Sequence, residues 1–282
     1  MPPIPPTYTV TERIVLGHDS LPHPVSEPGG SLPPRKRKSV EPYQQMFRIV
    51  DDLRTVLEQR NTVLRALRTA QRDALRPLIL LTARREAGGI QHCLHVGAIS
   101  ALLAKTLGKP ADWCNMLFDA AAVHDLGNIS IPDSILFKTS RLTRQEWRVV
   151  RDHPIAGAAL LSSPHNPIEL LAAEVALNHH EKWDGSGYPA GRQGSNIPLA
   201  GRIVAVADFV DSLGFASSYR AALPDEDIFH LLSLTSGAQF DPRVVRAMIE
   251  LRPRLARIRE RSAEWGPRFA ISPEHPLWWN EI

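Results

Sequence analysis

Cysteine is nearly missing from this chain of 282 residues. Cys93 and Cys114 lie in apolar, helix-like stretches and form no CxxC pair. A disulfide framework and a thiolate zinc site are therefore not expected. Reduced thiols suit a cytoplasmic protein, which is the expected location. No run approaches the roughly 18 apolar residues of a membrane span. Pro2, Pro3, Pro5 and Pro6 stand where a secretion signal would need an apolar core. Alternating strand patterns are scarce, and no internal repeat is visible. Charge imbalance is small: 33 Lys and Arg against 30 Asp and Glu, a net of +3. The surplus gathers at Arg35, Lys36, Arg37 and Lys38 and over 252–268. Such clusters attract anions, but they read first as solvated tails, and no specific DNA binding is expected.

What is present divides the chain into four parts. Residues 1–41 are rich in proline, with Gly29, Gly30 and the basic run. Such a segment buries too little apolar surface to offset its ordering entropy, so it is expected to be a disordered tail, with at most a short strand at Tyr8–Leu16. Residues 42–85 contain no glycine. Ile49, Val56, Val63 and Ala70 recur every seven residues, as do Met46, Leu53, Leu67 and Ala74, with Arg60 as the exception. This predicts a long amphipathic helix that either packs on its own domain or forms the stalk of a parallel homodimer. Residues 86–252 read as successive helices, at 91–107, 111–126, 143–150, 154–162, 167–179, 199–213, 225–236 and 241–251. Residues 253–282 form a basic and then aromatic extension that folds back or docks a partner. The expected class is all-α: a helical bundle preceded by a long helix.

The eleven histidines are placed informatively. His124 and Asp125 close the apolar run Leu117–Val123, where a helix would make their side chains diverge by about 100°. His92 opens the preceding helix, His153 precedes Pro154, and His179 and His180 end the run Leu170–Asn178. Taken singly, a histidine at a helix end is a cap or a surface residue. Asp208 is harder to explain so, because it interrupts the apolar run Ile203–Val210. An unpartnered buried carboxylate costs several kcal/mol, so a cation or strong donor is expected beside it. Imidazole and carboxylate without thiolate suit a catalytic divalent metal. Two such ions clamp a phosphoryl group and supply hydroxide, a route to phosphodiester hydrolysis without a protein nucleophile. The string from His179 to Pro189 then runs into a glycine-rich turn. There Gly185 and Gly187 allow close backbone approach, and Trp183 and Tyr188 offer faces to a base.

The pair His124-Asp125 and His179-His180-Glu181-Lys182-Trp183-Asp184-Gly185-Ser186-Gly187-Tyr188-Pro189 resembles the HD-GYP family of HD phosphohydrolases. Ile131-Pro132-Asp133, His153-Pro154 with Gly157, and Phe240-Asp241-Pro242 fall in the family's order. The resemblance covers roughly 86–252. It implies hydrolysis of a cyclic dinucleotide, cyclic di-GMP to pGpG or GMP, by two divalent metals, iron or manganese. The implied metal ligands are His92, His124, Asp125, His153, His179, His180 and Asp208, with Asp125 bridging. His124, Asp125 and Asn128 are the implied catalytic positions. Asn128, Lys182, Asp184, Gly185, Gly187, Tyr188 and Arg220 are the implied substrate side. Four positions depart from the family. Gly88 stands where some members have a third-metal glutamate, although Glu86 is near, so two metals are expected. Asn128 replaces a lysine, His95 an arginine, and Ser217 the phosphate-side arginine. Lys138, Lys182, Arg192 and Arg220 are candidate substitutes. An alternative reading follows from these losses: a metal- or nucleotide-binding signalling module, weakly active or inactive, working through a protein partner.

Overall fold

A computed structural model of the protein describes residues 41–86, 88–162, 166–214, 221–269 and 277–282. The expected tail and its strand at Tyr8–Leu16, like Ser217 and Arg220, lie outside these residues. Among the described residues there is no β-strand, and the expected all-α class is borne out. The chain divides into two units, one ending at Val56 and one running from Leu57 to Ile282.

The glycine-free segment forms one helix, α1, Glu41–Ala83. Its heptad residues Ile49, Leu53, Val56, Val63 and Leu67 are exposed, whereas Leu75 and Ile79 near its end are buried. The helices after it are α2 (Gly89–Thr106), α3 (Ala111–Ala121), α4 (Asp133–Leu136), α5 (Arg144–Arg151), α6 (His153–Leu161) and α7 (Pro167–Asn178). They continue with α8 (Leu199–Gly214), α9 (Asp225–Leu234), α10 (Pro242–Leu251) and α11 (Leu255–Trp265). A 3₁₀ segment, Leu126–Ser130, lies between α3 and α4.

The organising element is α2. Every residue from His92 to Ala104 is buried, as expected of a helix apolar on all sides. Helices α3, α8, α10 and α11 pack around it. The C-terminal extension thus folds back: Leu255 and Ile258 of α11 are buried, as are Phe269, Trp278 and Trp279.

Local chemistry sets the helix starts. Thr143 and Glu146 form a reciprocal capping box on α5, which satisfies two backbone N–H groups at once. Asn166 accepts from Ile168 N at 3.0 Å ahead of Pro167, and Asp241 accepts from Arg243 N at 2.9 Å ahead of Pro242. One expectation is corrected. The predicted helix 111–126 stops at Ala121, so His124 and Asp125 stand in a turn. The reason is tertiary. A Cβ on Gly127 would lie 1.9 Å from the His153 carbonyl oxygen, so the chain leaves the helix to run against the start of α6.

Candidate metal centre

The seven implied ligands converge in two groups. His92, His124 and Asp208 form one; Asp125, His153, His179 and His180 form the other. Within each group the ligating atoms lie within 4.8 Å of one another. Asp125 spans them. Its Oδ1 lies 3.1 Å from Nε2 of both His153 and His179, and its Oδ2 lies 3.7 Å from His124 Nε2. Asp208 Oδ1 is 3.5 Å from His92 Nε2 and 3.9 Å from His124 Nε2.

The elements aim these atoms inward. His124 Nδ1 donates to the Ala121 carbonyl at 2.9 Å, His153 Nδ1 to Val150 at 2.7 Å and His179 Nδ1 to Ala176 at 2.9 Å. A carbonyl only accepts, so each neutral ring carries its proton on Nδ1 and turns the Nε2 lone pair to the centre. His124 Nε2 is buried with no hydrogen-bond partner. The Nε2 atoms of His153 and His179 meet at 3.4 Å. Buried lone pairs that face each other, with carboxylate oxygens between them, fit divalent cations.

The electrostatics favour a neutral ring at His124 and His180, whereas His92 and His153 are shifted upward by their carboxylate neighbours. Burial, and the neighbouring His179, hold His180 well below the usual imidazole range. Burial likewise lowers His124, against the pull of Asp125. Both are thus neutral, as a ligand must be. Burial alone would raise Asp125, but its interactions with the surrounding His124, His153 and His179 rings outweigh it and hold the carboxyl well below its ordinary value. His92 is carried up to about 10: burial opposes this, and the hydrogen bond and charge of Asp211 overcome it.

Sequence reasoning gave no role to Asp211. It is buried on α8, and its two oxygens each lie 2.8 Å from a ring nitrogen, Nδ1 of His92 and Nδ1 of His95. His95, which stands at a family arginine position, is therefore a structural partner inside the bundle. The signal was available, because Asp211 is a second carboxylate one helical turn after Asp208 in the same apolar helix. Such a partner fixes ring orientation and tautomer. Asp211→Asn leaves one histidine N–H facing an amide N–H. We expect metal affinity to fall about 10- to 100-fold, with helix content unchanged; metal titration of the purified variant checks this, and an unaltered affinity would refute it.

Glu86 and Arg85, just after α1, were also missed in these roles. Asn128 Nδ2 donates to Glu86 Oε1 at 2.8 Å and to Asp125 Oδ2 at 3.1 Å. Burial and the nearby Asp125 charge raise the Glu86 carboxyl well above its ordinary range. Arg85 bonds the backbone carbonyls of Asn128 and Ile131 and the Asp133 carboxylate. A family-like glutamate at Gly88 would not fit, since a Cβ there meets His92 Cβ at 2.6 Å.

The glycine-rich loop is rigid for visible reasons. Buried Glu181 accepts from Ala190 N at 2.7 Å and Arg192 N at 2.9 Å. Trp183 N donates to Gln239 O at 3.0 Å, and Asp184 N to Ala238 O at 2.8 Å. Gly187 has no room for a side chain, because a Cβ would come within 2.2 Å of Lys182 N. The Tyr188–Pro189 bond is cis, and the Tyr188 ring stacks on His180 at 4.8 Å. Lys182 and Tyr188 line a cavity of about 220 Å³ with His179, His180, Asp208, Phe209 and Phe240. Asp184 and Gly185 do not line it. The Asp184 carboxylate instead holds Ser186 N and Oγ, at 2.9 and 2.7 Å.

Residues 48–244 match the family model described as HD domain. The cyclic di-GMP phosphodiesterase of Thermotoga maritima is 36% identical over 192 residues, 68% of this chain and 52% of that protein. The cyclic di-GMP phosphodiesterase response regulator RpfG of Xanthomonas campestris pv. campestris is 38% identical over 188 residues, 67% of this chain and 50% of that one. The 3'3'-cGAMP-specific phosphodiesterase 2 of Vibrio cholerae is 39% identical over 166 residues, 59% of this chain and 31% of that protein. A solved cyclic GMP-AMP-specific phosphodiesterase of V. cholerae aligns with a TM-score of 0.49 at 20% identity, over 73% of this chain and 57% of that one. The chain spans about half the length of the cyclic di-GMP phosphodiesterases it matches. With the HD pair and the GYP loop both in place, the chain belongs to the HD-domain family, in its HD-GYP branch.

Proposed function

We propose that this chain hydrolyses a phosphodiester bond of a cyclic dinucleotide, cyclic di-GMP first among them, at a pair of divalent metal ions. The observation that carries the reading is Asp125, whose two oxygens face two separate ligand groups. In this reading His92, His124 and Asp208 would hold one ion, His153, His179 and His180 the other, and Asp125 would serve both. Nitrogen and oxygen donors without thiolate suit iron or manganese. Bound there, such ions polarise phosphoryl oxygens and make water a better nucleophile at neutral pH.

The rest of the work falls to the protein. Asp211 orients His92. Asn128 was expected to donate to substrate, but both its N–H groups are engaged, so we assign it to holding Asp125 in place. Lys182 brings a cation to the cavity, and Phe209, Phe240 and Tyr188 give a base an apolar wall. Asp184, Gly185 and Gly187 shape the loop.

The test is direct. Protein loaded anaerobically with iron or with manganese is incubated with cyclic di-GMP, and products are resolved; pGpG or GMP is expected. Binding without product would favour the second reading, a signalling module, which the engaged Asn128 amide supports.

We assign the exposed heptad residues of α1 to a parallel homodimer, since Ile49, Val56 and Val63 present apolar surface at seven-residue spacing. Sedimentation equilibrium is expected to return twice the mass of the chain. A monomer at micromolar concentration would remove this assignment and leave the metal centre untouched. No helix among the described residues is long and apolar enough to cross a membrane.

A further inference from the structure

We propose that Arg151 takes the second, non-scissile phosphate of the cyclic dinucleotide, supplying a cation that the expected positions lack; this rests on the phosphodiesterase reading above. Among the expected substitutes, Lys138 Nζ is held by both Glu146 oxygens at 2.7 Å. The Arg192 guanidinium bonds the Asn196 carbonyl at 3.4 Å. Arg85 is tied to the turn after Asp125. Arg151 differs from all three. It is exposed in the last turn of α5, its guanidinium carbon sits 4.6 Å from the centre of the Tyr188 ring, and no carboxylate among the described residues pairs with it.

The placement argues for the second phosphate. Tyr188 stacks on His180 at 4.8 Å and meets His153 edge-on at 6.5 Å. Arg151 is therefore one aromatic ring removed from two of the metal-facing histidines. A phosphoryl group held at those histidines is separated from the guanidinium by that ring, whereas a cyclic dinucleotide carries a second phosphate across its macrocycle. Stacking on tyrosine fixes the plane of the fork and leaves its N–H edge free for two phosphate oxygens. The chain geometry supports the position: Val150, the preceding residue, accepts the His153 Nδ1–H at 2.7 Å. The end of α5 thus orients a metal-facing histidine and carries the cation together.

The experiment compares two substrates on the metal-loaded protein. Cyclic di-GMP has two phosphates; bis(p-nitrophenyl) phosphate has one. Arg151→Ala is expected to raise KM for cyclic di-GMP about tenfold or more, to flatten its dependence on salt, and to leave bis(p-nitrophenyl) phosphate hydrolysis unchanged. Arg151→Lys should recover part of the loss, because charge returns without the planar fork. Arg148→Ala, exposed in the same helical turn, should change nothing. Equal losses on both substrates would mean that Arg151 only braces Tyr188, and no loss on either would mean a solvated helix end; each overturns the proposal. If wild-type protein hydrolyses neither substrate, the functional reading fails separately. Binding of cyclic di-GMP, weakened at least tenfold by Arg151→Ala or not, then decides the role of Arg151, and absence of binding by wild-type protein overturns it.

Discussion

Asp125→Asn is expected to lower kcat on cyclic di-GMP at least a thousandfold, about 4 kcal/mol of barrier, and to cut bound metal from two ions per chain to one or none. The physical basis is that one carboxylate serves both groups. Oδ1 sits 3.1 Å from two imidazole nitrogens, and Oδ2 faces a third. An amide has one acceptor oxygen, carries no charge, and presents N–H hydrogens to one of the two sides. It therefore costs one group its anionic ligand and aims a donor at the other. The Asn128 contact to Oδ2 would meet the same conflict. Elemental analysis and steady-state turnover of the same preparation check both halves, with circular dichroism showing that the helices remain. Two ions per chain together with a tenth or more of wild-type activity would refute the bridging role.

The second large effect is on stability. Gly127→Ala places a Cβ 1.9 Å from the His153 carbonyl oxygen and 2.7 Å from Gly157 N. Both are backbone atoms, so no side-chain rotation relieves the clash; α6 must move off the turn, or the turn must unwind. Overpacking of this kind costs about 3 kcal/mol. For a unit of this size that lowers Tm by about 6–12 °C. Because His153 follows the displaced carbonyl, turnover should fall as well. Gly108→Ala gives the comparison. Gly108 has φ 77°, with nothing within 4 Å of an added Cβ, so it should cost only the left-handed penalty of about 1–2 kcal/mol. Equal melting shifts for the two variants would show that the contact at Gly127 is not tight.

These two residues also mark how far the sequence could be read. Five of the seven metal-facing side chains were legible because their chemistry is unusual wherever it occurs: adjacent His and Asp, paired His, and a carboxylate inside an apolar helix; His92 and His153 followed only from the family resemblance. The order of helices was legible from apolar periodicity. The end of α3 was not. Asp119-Ala120-Ala121-Ala122-Val123 favours helix by propensity, and only the close approach of Gly127 to α6 overrides it. Asp211 escaped because the burial argument was applied to Asp208 and stopped one turn short. Glu86 was not legible because the position four residues before His92 is glycine, and the carboxylate arrives instead from the link after α1. Arg151 is a solvated helix-end cation in sequence, and only folding brings the tyrosine of a loop 37 residues later to its side.

The stretch that matches the family model stops at residue 244, yet the apolar interior does not. Met248, Leu251, Leu255, Ile258, Phe269, Trp278 and Trp279 lie beyond it and are all buried. A fragment trimmed to the homologous boundary would strip the cover from the back of the helix that carries His92, exposing greasy surface in water. Trp278 and Trp279 are part of that cover, so a segment outside the family-model match shields a helix inside it.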